Sequence, residues 1–314
     1  MSLKFARLQP HFAAEVSPVD LREVHDREPL AEIRAGMDEY AVLVFREQRF
    51  TDAEHVAFAQ RLDGALHTKT GSRVLVKSRL GNEALGDISN LDENGEIMKS
   101  SNRRRMYGLG NRLWHTDASF QDPPGRYSML FARIIPPVPA DTEFADTRAA
   151  YDALPAEMKT RVDGLTVHHS IAHSRQTLGF EFSAEEHDAL KGAVHPLVRT
   201  IPRSGRKSLY VASHASRIVE WPVRKVGCCC TSSSSTPPSA NSCIATRGAS
   251  ATSSSGITAA RCTGRGPTTT RSIGASCGAS LRSTCRRSRS RVSRAPAARC
   301  RLLQHLARWR RQPP

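Results

Sequence analysis

Residues 1–223 contain no cysteine, and residues 224–314 contain no aspartate or glutamate. The first absence excludes a disulfide framework for the front of the chain. The second removes every carboxylate from the rear. Long apolar runs are also missing, so no segment has the length that a membrane-spanning helix requires. The opening stretch, MSLKFARLQPHFAAEVS, lacks the apolar core of a secretion signal. A cytoplasmic protein with no membrane partner is therefore expected.

What is present divides at the same place. The formal net charge is +16, which taken alone points to nucleic acid or an anionic surface. Of the 46 Lys and Arg, however, 17 lie from Arg224 onward, leaving 29 against 30 acidic residues in 1–223. The basic signal belongs wholly to the tail. All eight cysteines (Cys228, Cys229, Cys230, Cys243, Cys262, Cys277, Cys285 and Cys300) lie there too. Three adjacent cysteines converge poorly on one tetrahedral ion, so neither a metal site nor a disulfide is expected of them. Ser, Thr, Arg, Ala, Pro and Gly dominate the tail, and apolar periodicity is absent until LLQHLARWRR. This composition predicts disorder.

The front reads as an α+β protein. The stretch from Asp20 to Tyr40 has helical spacing, with Leu30, Ile33 and Met37 on one face. AVLVF (41–45) reads as a buried strand. Thr51 and Glu54 form a capping-box signature for the next helix. ALGDISNL (84–91) predicts a strand ending in a turn, and RYSMLFARIIPP (126–137) a strand closed by its prolines. Residues 146–165 read as one or two helices. Residues 195–211 read as a hairpin turning at Arg203–Arg206. Arg103, Arg104 and Arg105 read as a solvated loop. Ser204–Ser208 lacks the upstream glycine of a phosphate loop, which argues against nucleotide binding.

The chemistry concentrates in LGNRLWHTDASF (109–120). In an extended strand, residues i and i+2 share a face, so His115 and Asp117 can offer an imidazole and a carboxylate to one ion. With a distant second histidine they would make the facial triad of non-haem Fe(II) oxygenases. The tripeptide alone is common in unrelated proteins. His168, His169, His173 and His195 read as structural or surface residues.

Context adds to the motif. WHTDASF is followed by RYSMLFARIIPPVPADTEFADTRAAYDALP and then by HPLVRT and GRKSLYVASHAS, with MDEYAVLVFREQ upstream and WPV at 221–223. In this order and spacing the chain resembles the taurine/2,4-dichlorophenoxyacetate family of Fe(II)/2-oxoglutarate-dependent dioxygenases. Its aryloxyalkanoate-degrading branch is the nearest. The resemblance implies a double-stranded β-helix (jelly roll) with flanking helices, mainly β. It implies Fe(II), with 2-oxoglutarate and O2 as co-substrates, and a small carboxylate as substrate. His115 and Asp117 become iron ligands. Thr142 contacts the 2-oxoglutarate carboxylate, its other reading being a strand-end cap. His214 faces the substrate carboxylate or is a satisfied core histidine. A homo-oligomer is compatible with the family. A taurine-type or other small-acid dioxygenase is the alternative within it. A nucleic-acid-binding protein acting through its basic tail is the alternative outside it.

After WPV the family carries a second histidine in W-D-N-R-x-x-x-H-R and, further on, an arginine that clamps 2-oxoglutarate. This chain has neither. Reading the tail one base earlier recovers both. GITAARCTG (256–264) back-reads as W-D-N-R-C-T-M-H-R, with the histidine codon beneath Thr263, and the arginine codon falls beneath Gly274. Because third bases are free, single positions carry little weight, but the match runs on without a gap. Residues 1–223 are therefore expected to form a truncated jelly roll, lacking its final strands because residues 224–314 are out of frame. The chain as written is expected to be inactive or nearly so.

Overall fold

The computed structural model describes residues 2–67, 80–136, 141–221, 243–246, 250–254 and 258–262. It opens with an antiparallel pair, β1 (Lys4–Arg7) and β2 (Ala14–Ser17). Helix α1 (Arg27–Tyr40) buries the predicted face, Leu30, Ile33 and Met37. Gly36 joins that face because a Cβ there would stand 2.4 Å from the Phe5 ring. Strand β3 (Val42–Phe45) follows at once and is buried along its length. Its Leu43 and Phe45 pack with Ile33, Met37, Phe58 and Leu62, whereas Val42 and Val44 pack with Phe12 and Phe144. A strand covered on both faces needs apolar residues at every position, which is why AVLVF shows no alternation. Helix α2 (Asp52–Asp63) begins with the predicted capping box. Thr51 N–H donates to Glu54 Oε2 at 2.7 Å, and Glu54 N–H returns to Thr51 Oγ1 at 3.3 Å.

Three expectations are corrected in the middle of the chain. Residues 84–91 form no strand; they contribute isolated bridge residues, among them Leu91, which pairs with Ile97. The backbone N–H of Ala84 donates to Asn82 Oδ1 and that of Leu91 to Ser89 Oγ, and such local bonding competes with a ladder. Arg103–Arg105 are not a loop but open α3 (Arg103–Gly108), capped by the Asn102 side chain and continued by a 3-10 turn, Leu109–Arg112. Arg104 pairs with Asp87 at 2.8 Å, and Arg103 pairs with Glu186. Strand β4 stops early, at Tyr127–Leu130. Phe131 turns onto Phe50 and His55, with ring centroids 5.5 and 5.7 Å away, and Ile134 and Ile135 stay exposed.

Strand β5 (Thr142–Asp146) leads into α4 (Thr147–Asp152), and Pro155 starts the second of the two helices, α5 (Ala156–Val162). The junction is anchored by charge. Arg148 and Asp146 form a fully buried pair at 2.9 Å, and Arg148 Nη1 also donates to the carbonyls of Asp38 and Glu39 near the end of α1. Next come β6 (Thr166–His169), α6 (Ile171–Gln176), α7 (Ala184–Ala189), β7 (Ala193–Pro196), β8 (Val198–Thr200), β9 (Lys207–Leu209) and β10 (Ala215–Ile218). Strands β8 and β9 are the predicted hairpin, with Thr200 opposite Lys207.

The tail supplies β11 (Cys243–Thr246), β12 (Ser250–Ser254) and β13 (Thr258–Cys262). This corrects the expectation of a structureless segment. Strand β12 lies between β3 and β4 in a sheet ordered β1-β2-β3-β12-β4, and β11 and β13 flank β5. Ladder bonds join main-chain groups, and the strands they meet would otherwise present bare edges. Pairing of this kind does not require the side chains to be right. A third sheet has the order β10-β6-β7. Among the described strands, only β2 and β3 pair in parallel. The described residues thus mix helices with strands, as the α+β reading expected, and among them no sheet closes on itself. No described helix is long and apolar enough to cross a membrane.

Candidate metal and co-substrate site

His115 and Asp117 follow directly from the 3-10 turn. The segment is not a full strand: His115 lies in a short extended piece, and Asp117 opens a turn in which Ala118 has φ 53°. The two side chains still meet, with His115 Nε2 3.1 Å from Asp117 Oδ1. His115 Nδ1 lies 2.8 Å from the Leu113 carbonyl, which can only accept, so Nδ1 carries a proton; Nε2 faces the Asp117 carboxylate, to which it donates until a cation takes that proton's place. A backbone carbonyl on the far nitrogen is the usual arrangement behind a metal-bound histidine. Two ligands at about 2.1 Å on adjacent octahedral positions stand about 3 Å apart, so the pair has the right donors and separation for one cation. The imidazole is 11% exposed and the carboxylate 40%, which leaves an approach open.

The charges couple the two side chains to each other. Burial works to lower the pKa of His115, but the hydrogen bond and charge of Asp117, with the Leu113 carbonyl, raise it overall. Burial likewise opposes the charge of Asp117, while His115 and the Ser128 hydroxyl bring its pKa below the ordinary value. Among the described residues no third His, Cys, Asp or Glu completes a metal-binding group.

Of the other candidates, His214 is brought to this site. Its ring centroid lies 5.7 Å from His115 and 5.2 Å from Phe120. Two backbone bonds hold it there, Ser213 N to Trp114 O at 3.0 Å and Ser170 N to His214 O at 2.8 Å. Thr142 begins β5, with Thr246 and Cys262 as its Cα partners on either side. The same strand reaches the site through Ala145, which packs against Trp114. Thr263 and Gly274 lie outside the described residues. Sequence reading passed over Arg175, a buried cation beside the pair; its isolated position in HSRQ carries no motif.

The remaining histidines behave differently from one another. His168 bonds Ser216 Oγ and the Lys191 carbonyl, one through each ring nitrogen. His169 is 1% exposed and packs against Tyr210 and His195. Burial, then the neighbouring His195, His168 and Arg199, push its pKa down to about 3. Because the folded value lies below the unfolded one, the unfolded chain takes up a proton that the folded chain refuses. Stability is then complete above about pH 6.5 and falls as the pH drops toward 3. Between pH 7 and 5 the loss from this residue is about 2 kcal/mol. Denaturation at the two pH values checks it: His169→Phe should flatten the dependence by about that amount.

Comparison with known proteins decides the family. Residues 4–226 match the family described as taurine catabolism dioxygenase TauD, TfdA family. The chain belongs to that family. It is 41% identical over 227 residues to the α-ketoglutarate-dependent 2,4-dichlorophenoxyacetate dioxygenase of Cupriavidus pinatubonensis, covering 71% of this chain and 78% of that one. It is 32% identical over 222 residues to the (S)-phenoxypropionate/α-ketoglutarate-dioxygenase of Sphingobium herbicidovorans, covering 68% and 71%. Among solved structures it is similar to AAD-2 in complex with Mn(II) and N-oxalylglycine. That match has a TM-score of 0.73 and 34% identity, covering 84% of this chain and 91% of that one. As a TauD/TfdA dioxygenase, the enzyme uses Fe(II), 2-oxoglutarate and O2. Strands β11, β12 and β13 all lie beyond the stretch matched by the family.

Proposed function

We propose that this dioxygenase acts on an aryloxyalkanoate such as 2,4-dichlorophenoxyacetate, forming a phenol, glyoxylate, succinate and CO2. The observation that carries the reading is the identity with the 2,4-dichlorophenoxyacetate dioxygenase, which runs through the 3.1 Å pair His115–Asp117. The fold proposed for the intact enzyme is the jelly roll with flanking helices.

His115 Nε2 and Asp117 Oδ1 would hold the iron on adjacent positions. When bound, iron supplies the activation of O2 that oxygenates a substrate C–H bond while 2-oxoglutarate is cleaved. The chain's own residues bind and orient. Asp117 contributes the negative charge at the ion, and the Leu113 carbonyl keeps the His115 lone pair aimed at it. The Thr142 hydroxyl donates to a carboxylate of 2-oxoglutarate. Phe120 and His214 present an apolar edge and a ring to the substrate side.

For the chain as written we propose two parts: a dioxygenase domain, 1–223, and a tail, 224–314, read in the wrong frame. The tail offers backbone but no second histidine and no clamp. Mn(II) binding followed by electron paramagnetic resonance tests the donor pair. Weak binding is expected, abolished in Asp117→Ala; binding that survives that change would place the ion elsewhere. Substrate choice is tested on a frame-corrected chain by comparing succinate formation with 2,4-dichlorophenoxyacetate and with taurine. Preference for taurine would overturn the aryloxyalkanoate reading.

A further inference from the structure

Arg175, in α6, is 3% exposed, and among the described residues no carboxylate pairs with it. A buried guanidinium with no carboxylate in direct contact, and only the more distant Asp117 charge to favour it, is costly, by several kcal/mol, and needs a reason to be there. Its flat faces are covered. The Tyr107 ring centroid lies 4.8 Å from Cζ, and a Cβ on Gly110 would stand 2.3 Å from it. Its edges are specific: Nη2 donates to Asn111 Oδ1 at 2.8 Å and Nη1 to Ser174 Oγ at 3.1 Å, while buried Nε has no partner.

Each edge leads to a ring of the site. Gly110 and Asn111 belong to the 3-10 turn, and Leu113 N–H donates back to the Gly110 carbonyl at 3.1 Å. Leu113 in turn accepts from His115 Nδ1. On the other side, Ser174 Oγ donates its one proton to the Ile171 carbonyl at 2.8 Å. Arg175 can only donate, so His214 Nδ1, 3.1 Å from the same oxygen, must donate as well. His214 Nε2 is then bare.

We propose that Arg175 is the positioning residue of this site, fixing the turn that orients His115 through Asn111 and the Nδ1-protonated tautomer of His214 through Ser174. This rests on the reading of His115 and Asp117 as the metal-binding pair. It also revises the part expected of His214. A neutral ring with a bare Nε2 accepts a hydrogen bond and gives none, so it suits a hydroxyl or N–H donor and not a carboxylate oxygen.

The test uses the full chain, metal-free, with nitrogen-15 in its histidine rings, and reads tautomers from two-bond proton–nitrogen spectra. His115→Gln and His214→Gln assign the signals. In the parent His214 should carry its proton on Nδ1, and His115 should hold one on Nδ1 with its Nε2 donating to Asp117. Ser174→Ala should release His214 to both tautomers with His115 unchanged, Asn111→Ala should shift His115 with His214 unchanged, and Arg175→Met should move both. Should Arg175→Met fail to fold, the two single-arm variants decide. A parent His214 protonated on Nε2, or parental spectra in both single-arm variants, would overturn the proposal. Mn(II) affinity gives the second readout, expected to weaken about 10-fold or more in Arg175→Met. A parent that binds no Mn(II) counts against the metal reading alone, because the spectra need no metal.

Discussion

Adding one base at the Val223 codon is expected to raise 2-oxoglutarate turnover by about 10³-fold or more over the chain as written, equivalent to about 4 kcal/mol of transition-state stabilisation. On the frame reading, the corrected chain would carry a histidine at the codon beneath Thr263 and an arginine at the codon beneath Gly274. The first would complete the donor set that among the described residues stops at His115 and Asp117. The second would clamp the far carboxylate of 2-oxoglutarate through paired hydrogen bonds. Cys262, immediately before that codon, pairs with Thr142 on β5, the strand whose Ala145 packs on Trp114 next to His115. Succinate release by both chains, with and without added Fe(II), is the measurement. Equal activity in the two would sink the frame reading. Strong activity in the chain as written would sink its inactivity.

Arg148→Met is expected to destabilise the fold by about 3–5 kcal/mol, measured as a lowered midpoint in urea. The guanidinium is 0% exposed and Asp146 1%, so removing the cation strands a carboxylate that water cannot reach. The carbonyls of Asp38 and Glu39 lose their donor in the same step, and with it the tie between α1 and the β5–α4 junction. The double change Asp146→Asn with Arg148→Met should recover part of the loss, because no unpaired buried charge then remains. A loss below about 1 kcal/mol for Arg148→Met, the range of exposed ion pairs, would mean that the charge is not isolated as described.

Much of the front half was legible from local chemistry. Helix α1 shows its buried face at helical spacing, and α2 announces its start with Thr51 and Glu54, because both signals act within one or two turns. ALGDISNL misled because the Asn82 and Ser89 side chains took backbone donors at its two ends, and RYSMLFARIIPP because an aromatic contact drew Phe131 away. The arginine triplet read as a loop since its partners, Asp87 and Glu186, lie 17 and 83 residues away. Of the site, His115 and Asp117 were readable from their spacing, though a turn and not a strand brings them together.

The sequence by itself determined the family, the donor pair and the break in composition after residue 223, since each is written in residue types and their order. The tertiary structure alone decided that tail backbone enters two sheets, because ladder bonds ignore side chains. It also decided that Arg175 is buried beside the donor pair, because a guanidinium's surroundings come from Tyr107, Gly110 and Asn111, far along the chain. The tautomer of His214 belongs with these, being set by how one serine spends its single proton.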